Sequence, residues 1–410
     1  MRLLLTAIPL AYLLLCIPYA VRTYVFIGLA LRYYRGAGGL PGGRVPAGRR
    51  WTVSLIVPCH NEAAIIETTI RAALAQELPA FVSRYEILFV DDASTDGTGR
   101  ILDAWAAATG RLRVIHRPVA RGKPAALNEA LRVASGELVV FIDADHALRA
   151  NAIRRLVTPL AAGTAEAVQG RCVVRNGHMN LLTRLIRLDY TVGYLMDLPA
   201  RSLVGTCPIA GSTMALTRAV FDRIGAFSET TLTEDTEFSL RLMQAGIRVA
   251  YDVNAVSAEL AVSTVRGYIR QRRRWANGHN TVMFRWLRDP ALWRLPVSRL
   301  DVLLYLCVYL VPVFGFFAVL ALGLQLALHL PSAVSIPGLP VLALGLAAAY
   351  PAQLIVAALL THRYTDVLYI PVYVVRGMVE PIIAVLGLMD CLRKRQTWQK
   401  TDHAMVRAAG

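Results

Sequence analysis

Lysine is nearly absent from this 410-residue sequence: of 44 basic residues only Lys123, Lys394 and Lys400 are lysines. Such a bias is the mark of an Arg- and Ala-rich, GC-rich genome, so the net charge of +16 is not by itself the imprint of a polyanionic partner. Paired cysteines are missing too. The six cysteines, at 16, 59, 172, 207, 307 and 391, show no C-x-x-C spacing. That implies no disulfide framework or zinc site and suits a reduced, cytosolic face. Most telling is where charge is lacking. No charged side chain occurs over residues 3–21, and over 302–361 the only titratable candidate near neutral pH is His329. Apolar residues make up 55% of the chain, which is too much for a soluble core alone. Residues 3–21 are long enough to span a bilayer and have no small-x-small site after them, so a cleaved signal peptide is the poorer reading. Pro331, Pro337, Gly338 and Pro340 predict a hairpin loop between two further spans.

The basic residues hug these segments. Arg32, Arg35, Arg44, Arg49 and Arg50 follow the first span without an acid among them, and Arg393, Lys394 and Arg395 follow the last apolar stretch. Basic flanks mark the cytoplasmic side and favour anionic lipid headgroups, which argues against nucleic acid as a partner. There is no internal repeat and no low-complexity segment.

Between Trp51 and Trp286 long apolar runs give way to short ones. Strands are predicted at 52–57 (stopped by Pro58), 85–90, 113–115 and 137–142, with helices over 62–76, 96–108 and 124–133. Apolar strands alternating with helices predict an α/β fold with a mainly parallel sheet covered on both faces, its ligands beyond the carboxyl ends of the strands. The stretch 179–201 reads either as a helix on the membrane surface or as one packed on the soluble core.

Polar motifs fall on that sheet edge. Asp143-Ala144-Asp145 closes the run Leu138-Val139-Val140-Phe141-Ile142. Two carboxylates crowded at a buried strand end repel unless a cation lies between them, and hard cations such as Mg²⁺ or Mn²⁺ bridge carboxylates to phosphates. Asp91-Asp92 ends another strand, where a carboxylate suits a base N–H or a ribose hydroxyl, and Asp96 suits a helix cap. Arg121-Gly122-Lys123-Pro124 opens a helix with a fixed cation, a fit for a diphosphate. Ala210-Gly211-Ser212-Thr213 is a small-residue loop. Thr233-Glu234-Asp235 precedes an amphipathic helix, and capping by Thr233 is an adequate structural account of it. Gln271-Arg272-Arg273-Arg274-Trp275 reads as a membrane-surface patch, or as a guanidinium cluster for phosphate charge with an indole for a sugar face.

In this order, Pro58-Cys59-His60-Asn61-Glu62, Asp91-Asp92, Asp143-x-Asp145, Thr233-Glu234-Asp235 and Gln271-x-x-Arg274-Trp275 resemble the motifs of processive family 2 glycosyltransferases, the cellulose, chitin, hyaluronan and poly-N-acetylglucosamine synthases. The resemblance implies a GT-A-type nucleotide-sugar domain embedded between transmembrane helices. It implies Asp235 as the catalytic base and Asp145 as the residue holding Mg²⁺ or Mn²⁺. Pro58, His60, Glu62, Asp92, Lys123, Asp143 and Arg274 would bind the nucleotide. Gly211, Ser212, Glu234, Gln271 and Trp275 would meet acceptor or product. The expected layout is a span at 1–35, a basic linker at 36–50, the catalytic domain at 51–286, an interfacial segment at 287–300, a transmembrane region at 301–392 and a basic tail at 393–410. The short chain and the Arg395-x-x-Trp398-x-Lys400-Thr401 tail favour a poly-N-acetylglucosamine or chitin type, with UDP-N-acetylglucosamine ahead of UDP-glucose as donor. A growing glycan is the expected acceptor, a lipid the alternative, membrane lipids and a small accessory subunit the further partners, and a bacterial inner membrane with the catalytic domain inside the expected location. A channel or transporter is disfavoured because the acids cluster outside the spans. Residues 367–389 are expected to line the glycan path. Three full crossings would leave Arg393 to Arg395 outside, so this segment is expected to bend or re-enter, with Arg376 and Glu380 on one face.

Overall fold

A computed structural model describes residues 2–36, 43–330 and 338–395, with side chains from Leu5 onward. The tail motif at Trp398, Lys400 and Thr401, the middle of the 36–50 linker and the loop prolines 331 and 337 lie outside the described residues.

Four strands follow the predicted pattern: β1 (Trp51–Cys59), β2 (Val82–Asp91), β3 (Leu112–His116) and β4 (Leu138–Phe141). They pair in parallel, β3 on β2, β2 on β1 and β1 on β4. Alternate residues feed two separate cores. Val53, Leu55, Val57 and Phe89 face Ile66, Ile70 and Leu156 on one side, while Ile56, Leu88 and Val139 face Ala126, Leu127 and Phe238 on the other. A sheet buried on both faces needs this continuous apolar run. β1 runs two residues further than predicted. Its pairing with β4 has ended at Ile56, so Pro58 extends the strand against β2 alone.

Four more strands complete an eight-stranded sheet: β5 (Ala147–Leu148), β6 (Ala167–Val174), β7 (Met214–Thr217) and β8 (Val249–Glu259), in the order β3-β2-β1-β4-β7-β6-β8-β5. Within it β7 is antiparallel to both β4 and β6, and β5 to β8. That reversal matters for the site. An antiparallel strand begins at the edge where its parallel neighbours end, so the 210–213 loop before β7 arrives beside Asp143.

Helices Leu5–Arg35, Leu310–Ala327 and Leu339–Leu360 are long and apolar enough to cross a membrane. The first helix, Arg2–Arg35, has 34 residues, about 51 Å at 1.5 Å each and longer than a hydrocarbon core of about 30 Å. Its last part docks on the sheet domain: Ala30 and Tyr33 are buried, and the Tyr33 hydroxyl donates to the Tyr251 carbonyl at 2.9 Å. Residues 179–201 form the helix Leu181–Val192, a π-turn Gly193–Asp197 and the helix Leu198–Val204. Leu185, Leu188, Val192 and Met196 are buried in the core, which selects the packed reading over the membrane-surface one. Residues 364–392 do bend: Tyr364–Gly377 and Glu380–Leu392 meet at 44°.

Candidate active site

The residues expected to meet nucleotide, metal, acceptor or product, from Pro58 to Trp275, all line one cavity of about 750 Å³ at the carboxyl edge of the sheet. At the end of the cavity beside β1 and β2 two loops brace each other. Asn61 takes a left-handed conformation (φ 59°), which Asn tolerates better than most residues. From there its backbone N–H donates to the Ser94 hydroxyl at 2.9 Å, and its side-chain oxygen accepts the Thr95 N–H at 2.7 Å. His60 Nδ1 lies 2.7 Å from the Asp92 carbonyl, and the Glu62 N–H donates to Thr98 Oγ1 at 2.7 Å. The Asp92 carboxylate is bound by the Arg117 guanidinium and accepts the N–H groups of Arg121 at 3.1 Å and Gly122 at 2.7 Å. It fixes the turn that delivers Lys123. Gly97, not Asp96, stands at the N-cap of the helix Thr98–Thr109; Asp96 precedes it and accepts the Thr98 N–H at 3.0 Å.

Lys123 turns toward acids. Its Nζ is 2.7 Å from Asp143 and 3.5 Å from Glu234, and it donates to the Gly211 carbonyl at 2.8 Å. Burial works against its charge, but Asp143 and then Glu234 overcome this and raise its pKa. Asp143 is held from behind, its N–H donating to Ser212 Oγ at 3.0 Å.

The helix Glu234–Gln244 carries the proposed base in its first turn. Thr233 stands at the N-cap but makes no capping bond, and its buried hydroxyl has no partner, so the capping account of this motif is wrong. Asp235 instead accepts the Thr236 N–H at 2.7 Å through Oδ1. Its Oδ2 faces Gly211, where an added Cβ would sit 3.0 Å away, so Gly211 keeps that oxygen open. Burial pushes the pKa of Asp235 above the ordinary carboxylate value, with Lys123 opposing, and Glu234 shifts the same way for the same reasons. A carboxylate poised upward is a better proton acceptor near neutral pH.

The three arginines of the 271–275 motif do not form a cluster. They lie on the helix Val265–Leu287, where successive side chains point about 100° apart, and each faces a different neighbour. Arg272 pairs with Asp189 at 2.9 Å on the cavity wall, Arg273 pairs with Asp390 away from the cavity, and Arg274 turns toward Glu234, Asp235 and Asp143. Gln271 and Trp275 line the cavity beside it, and the Arg272 guanidinium lies 4.7 Å from the Trp275 ring centroid.

Several residues that shape the site escaped the sequence reading. Fully buried Gln169 braces the 210–213 loop, donating to the Ser212 carbonyl and accepting the Ala210 N–H, at 2.9 and 2.8 Å. His146 follows Asp145 directly, and that adjacency was the one available signal. Its Nε2 lies 2.9 Å from Glu259 and its Nδ1 2.9 Å from Ser257 Oγ. Asp143, Asp145 and His146 bring one ligand atom each to within 4.8 Å of one another, a donor set dominated by oxygen that fits Mg²⁺ or Mn²⁺. At its far end the cavity is lined by Arg22 of the first helix and by Arg201, Leu304, Tyr305 and Val308. Asp301 holds both arginines, Arg22 at 2.7 Å and Arg201 at 3.1 Å.

Residues 54–225 match the family described as Glycosyl transferase family 2. The glycosyl transferase family 2 domain is thus shown for residues 54–225. Poly-beta-1,6-N-acetyl-D-glucosamine synthase of Staphylococcus epidermidis is 27% identical to this glycosyltransferase over 237 residues, 57% of this chain and 56% of that protein. Beta-monoglucosyldiacylglycerol synthase of Synechocystis sp. is 30% identical over 267 residues, 63% of this chain and 55% of that one. The chain thus spans just over half the length of these relatives. A solved mannosyltransferase, PcManGT from Pyrobaculum calidifontis in complex with GDP-Man and Mn²⁺, is similar over 95% of this chain and 99% of its own, with a TM-score of 0.64 and 26% identity. The glycosyltransferase fold is accordingly GT-A-like, with a curled, mostly parallel sheet.

Proposed function

We propose that this glycosyltransferase transfers a sugar from a UDP-sugar to a hydroxyl of a growing glycan, with inversion at the anomeric carbon, from a catalytic domain on the cytoplasmic face of a bacterial inner membrane. The observation that carries the reading is that Asp235 and Arg274, from motifs far apart in sequence, meet the Asp143/Asp145 pair in one cavity. The loop of Pro58 to Glu62 and Asp92, just past the end of β2, receive the base, and Lys123 and Arg274 face the diphosphate. Asp143, Asp145 and His146 would hold a divalent cation, a reading supported by the Mn²⁺ in the solved relative. That cation would neutralise charge on the departing diphosphate. Carboxylates outnumber the cations Lys123 and Arg274 at this end, which leaves room for such a charge.

Asp235 takes the proton of the acceptor hydroxyl as its oxygen bonds to the anomeric carbon. The bond from that carbon to UDP breaks on the opposite side, and Arg274 meets the developing charge. One in-line displacement turns an α-linked donor into a β-linked product. UDP-N-acetylglucosamine is the first choice of donor and UDP-glucose the second.

Single transfer to a lipid acceptor is the second reading. The Synechocystis relative favours it, as does the reach of the cavity to Arg22, Leu304 and Val308 beside the first span. The test uses the purified full chain in lipid nanodiscs with a panel of UDP-sugars, reading UDP release and product size together. Long β-linked chains support polymer synthesis, and a product of one sugar on a lipid selects the second reading. Absence of UDP release with every UDP-sugar, alongside release from another nucleotide sugar, would refute the donor class.

A further inference from the structure

Residues 364–392 have the length and composition of one bent span. The two limbs measure about 20 Å each at 1.5 Å per residue, together enough to reach across about 30 Å of hydrocarbon. Length therefore does not decide where the segment lies. Its polar anchors do. Near its start Asp366 accepts two bonds from Arg187 at 2.6 and 2.9 Å. Just before the bend Arg376 grips Asp189 at 2.6 and 2.9 Å, and just after it Glu380 accepts the Tyr268 hydroxyl. Near the end Asp390 is clasped by Arg273, one bond being 2.7 Å. All four partners sit on two helices of the catalytic domain, Leu181–Val192 and Val265–Leu287.

The second limb lies along Val265–Leu287 for its whole length. A Cβ on Gly387 would fall 2.5 Å from the Ala276 Cβ and 3.2 Å from the Asn277 nitrogen. Further along, Thr281 Oγ1 meets Cys391 Sγ at 3.4 Å, and the Asn277 amide donates to the Arg395 carbonyl at 2.6 Å. The helix Val265–Leu287 carries Arg266, Arg270, Arg272, Arg273, Arg274 and Arg285 and no acid. Each arginine at mid-bilayer costs about 2.5–3.5 kcal/mol even on the lenient insertion scale, so this helix stays out of the hydrocarbon. A limb packed beside it from end to end stays at the same level. The limb's other side meets the span Leu310–Ala327. Leu368, Val375, Met378 and Leu392 remain exposed on the outside, and Arg363, Arg393 and Lys394 are exposed at the two ends.

We infer that residues 364–392 form a bent platform in the headgroup–acyl boundary, with both ends on the catalytic-domain side, and that the partner of its outer face is the adjacent lipid leaflet. The exposed apolar side chains enter the acyl boundary, and the cations at both ends meet lipid phosphate. The platform also backs the active site, because Asp189 and Arg272 line the cavity that Arg376 closes from behind.

The test places single cysteines in the full chain with Cys16, Cys307 and Cys391 changed to serine, and labels right-side-out and inverted membrane vesicles with an impermeant maleimide. Val119→Cys, on the exposed catalytic surface, marks the catalytic side. Elution as a single species in detergent checks that each variant is folded. Arg363→Cys and Arg393→Cys should both label from the side of Val119→Cys and not from the other. Labelling of the two from opposite sides means a full crossing and overturns the inference. Met378→Trp separates a surface platform from a re-entrant loop. Its fluorescence should be quenched more by lipids brominated near the headgroup than near the acyl end, and the reverse order overturns the inference as well.

Discussion

Lys123→Gln tests whether the lysine sets the proton affinity of the base. Gly211 lies between the two groups. A Cβ there would be 3.0 Å from Asp235 Oδ2 and 3.5 Å from Lys123 Nζ, so the charges lie within about 6.5 Å of each other. At an effective dielectric constant of about 20, a pair at that separation interacts by about 2.6 kcal/mol. At 1.36 kcal/mol per pKa unit this is nearly two units at the longest separation the geometry allows, and solvent in the cavity reduces it to about one. The sign follows from the charges. Burial already raises the pKa of Asp235 and Lys123 holds it down, so removing the cation raises it further. The base must be ionised to accept a proton, and activity is lost as pH falls through its pKa. The acid limb of the rate profile should therefore move upward by about one to two pH units in Lys123→Gln, while Lys123→Arg, which keeps the charge, should leave the limb near that of the parent. The assay is UDP release against pH at saturating donor. An unmoved limb with a uniform drop in rate would refute the electrostatic coupling and leave Lys123 a role in donor binding alone.

Other perturbations separate the remaining roles. Asp145→Ala should weaken UDP binding and abolish its dependence on Mn²⁺, and calorimetry that finds equal metal dependence in variant and parent contradicts the cation site. Arg274→Ala should lower the rate at saturating donor by about 10²-fold, the loss typical of a donor aimed at transition-state charge. Arg273→Ala should leave it within about twofold, because that side chain pairs with Asp390 away from the cavity. Equal losses in the two variants would restore the cluster view of the motif.

Much of this site was legible because its chemistry sits where strands end. The apolar runs of β1, β2 and β4 stop at polar residues, and a parallel sheet places all three ends on one edge. The motif order carried the rest, including Asp235, whose helix alone gave no reason to prefer a base over a cap. What stayed hidden depends on contacts between distant residues. Gln169 sits within an apolar strand with nothing around it to announce that it braces Ser212. Three consecutive arginines read as one patch until the helix turned them toward Asp189, Asp390 and the cavity. The antiparallel β7, which delivers Gly211 and Ser212, could not be placed because a four-residue strand looks the same in either direction.

In the proposed mechanism Asp235 accepts the proton of the attacking hydroxyl. Substituting it with asparagine keeps size and most hydrogen bonding but removes the basic oxygen. The direct measurement is sugar transfer by Asp235→Asn beside UDP binding by the same preparation. Transfer should fall by about 10²–10⁴-fold, the range for loss of a general base, while UDP affinity stays close to that of the parent. Transfer above about a tenth of the parent rate would contradict the account and reduce Asp235 to a structural residue at the start of its helix.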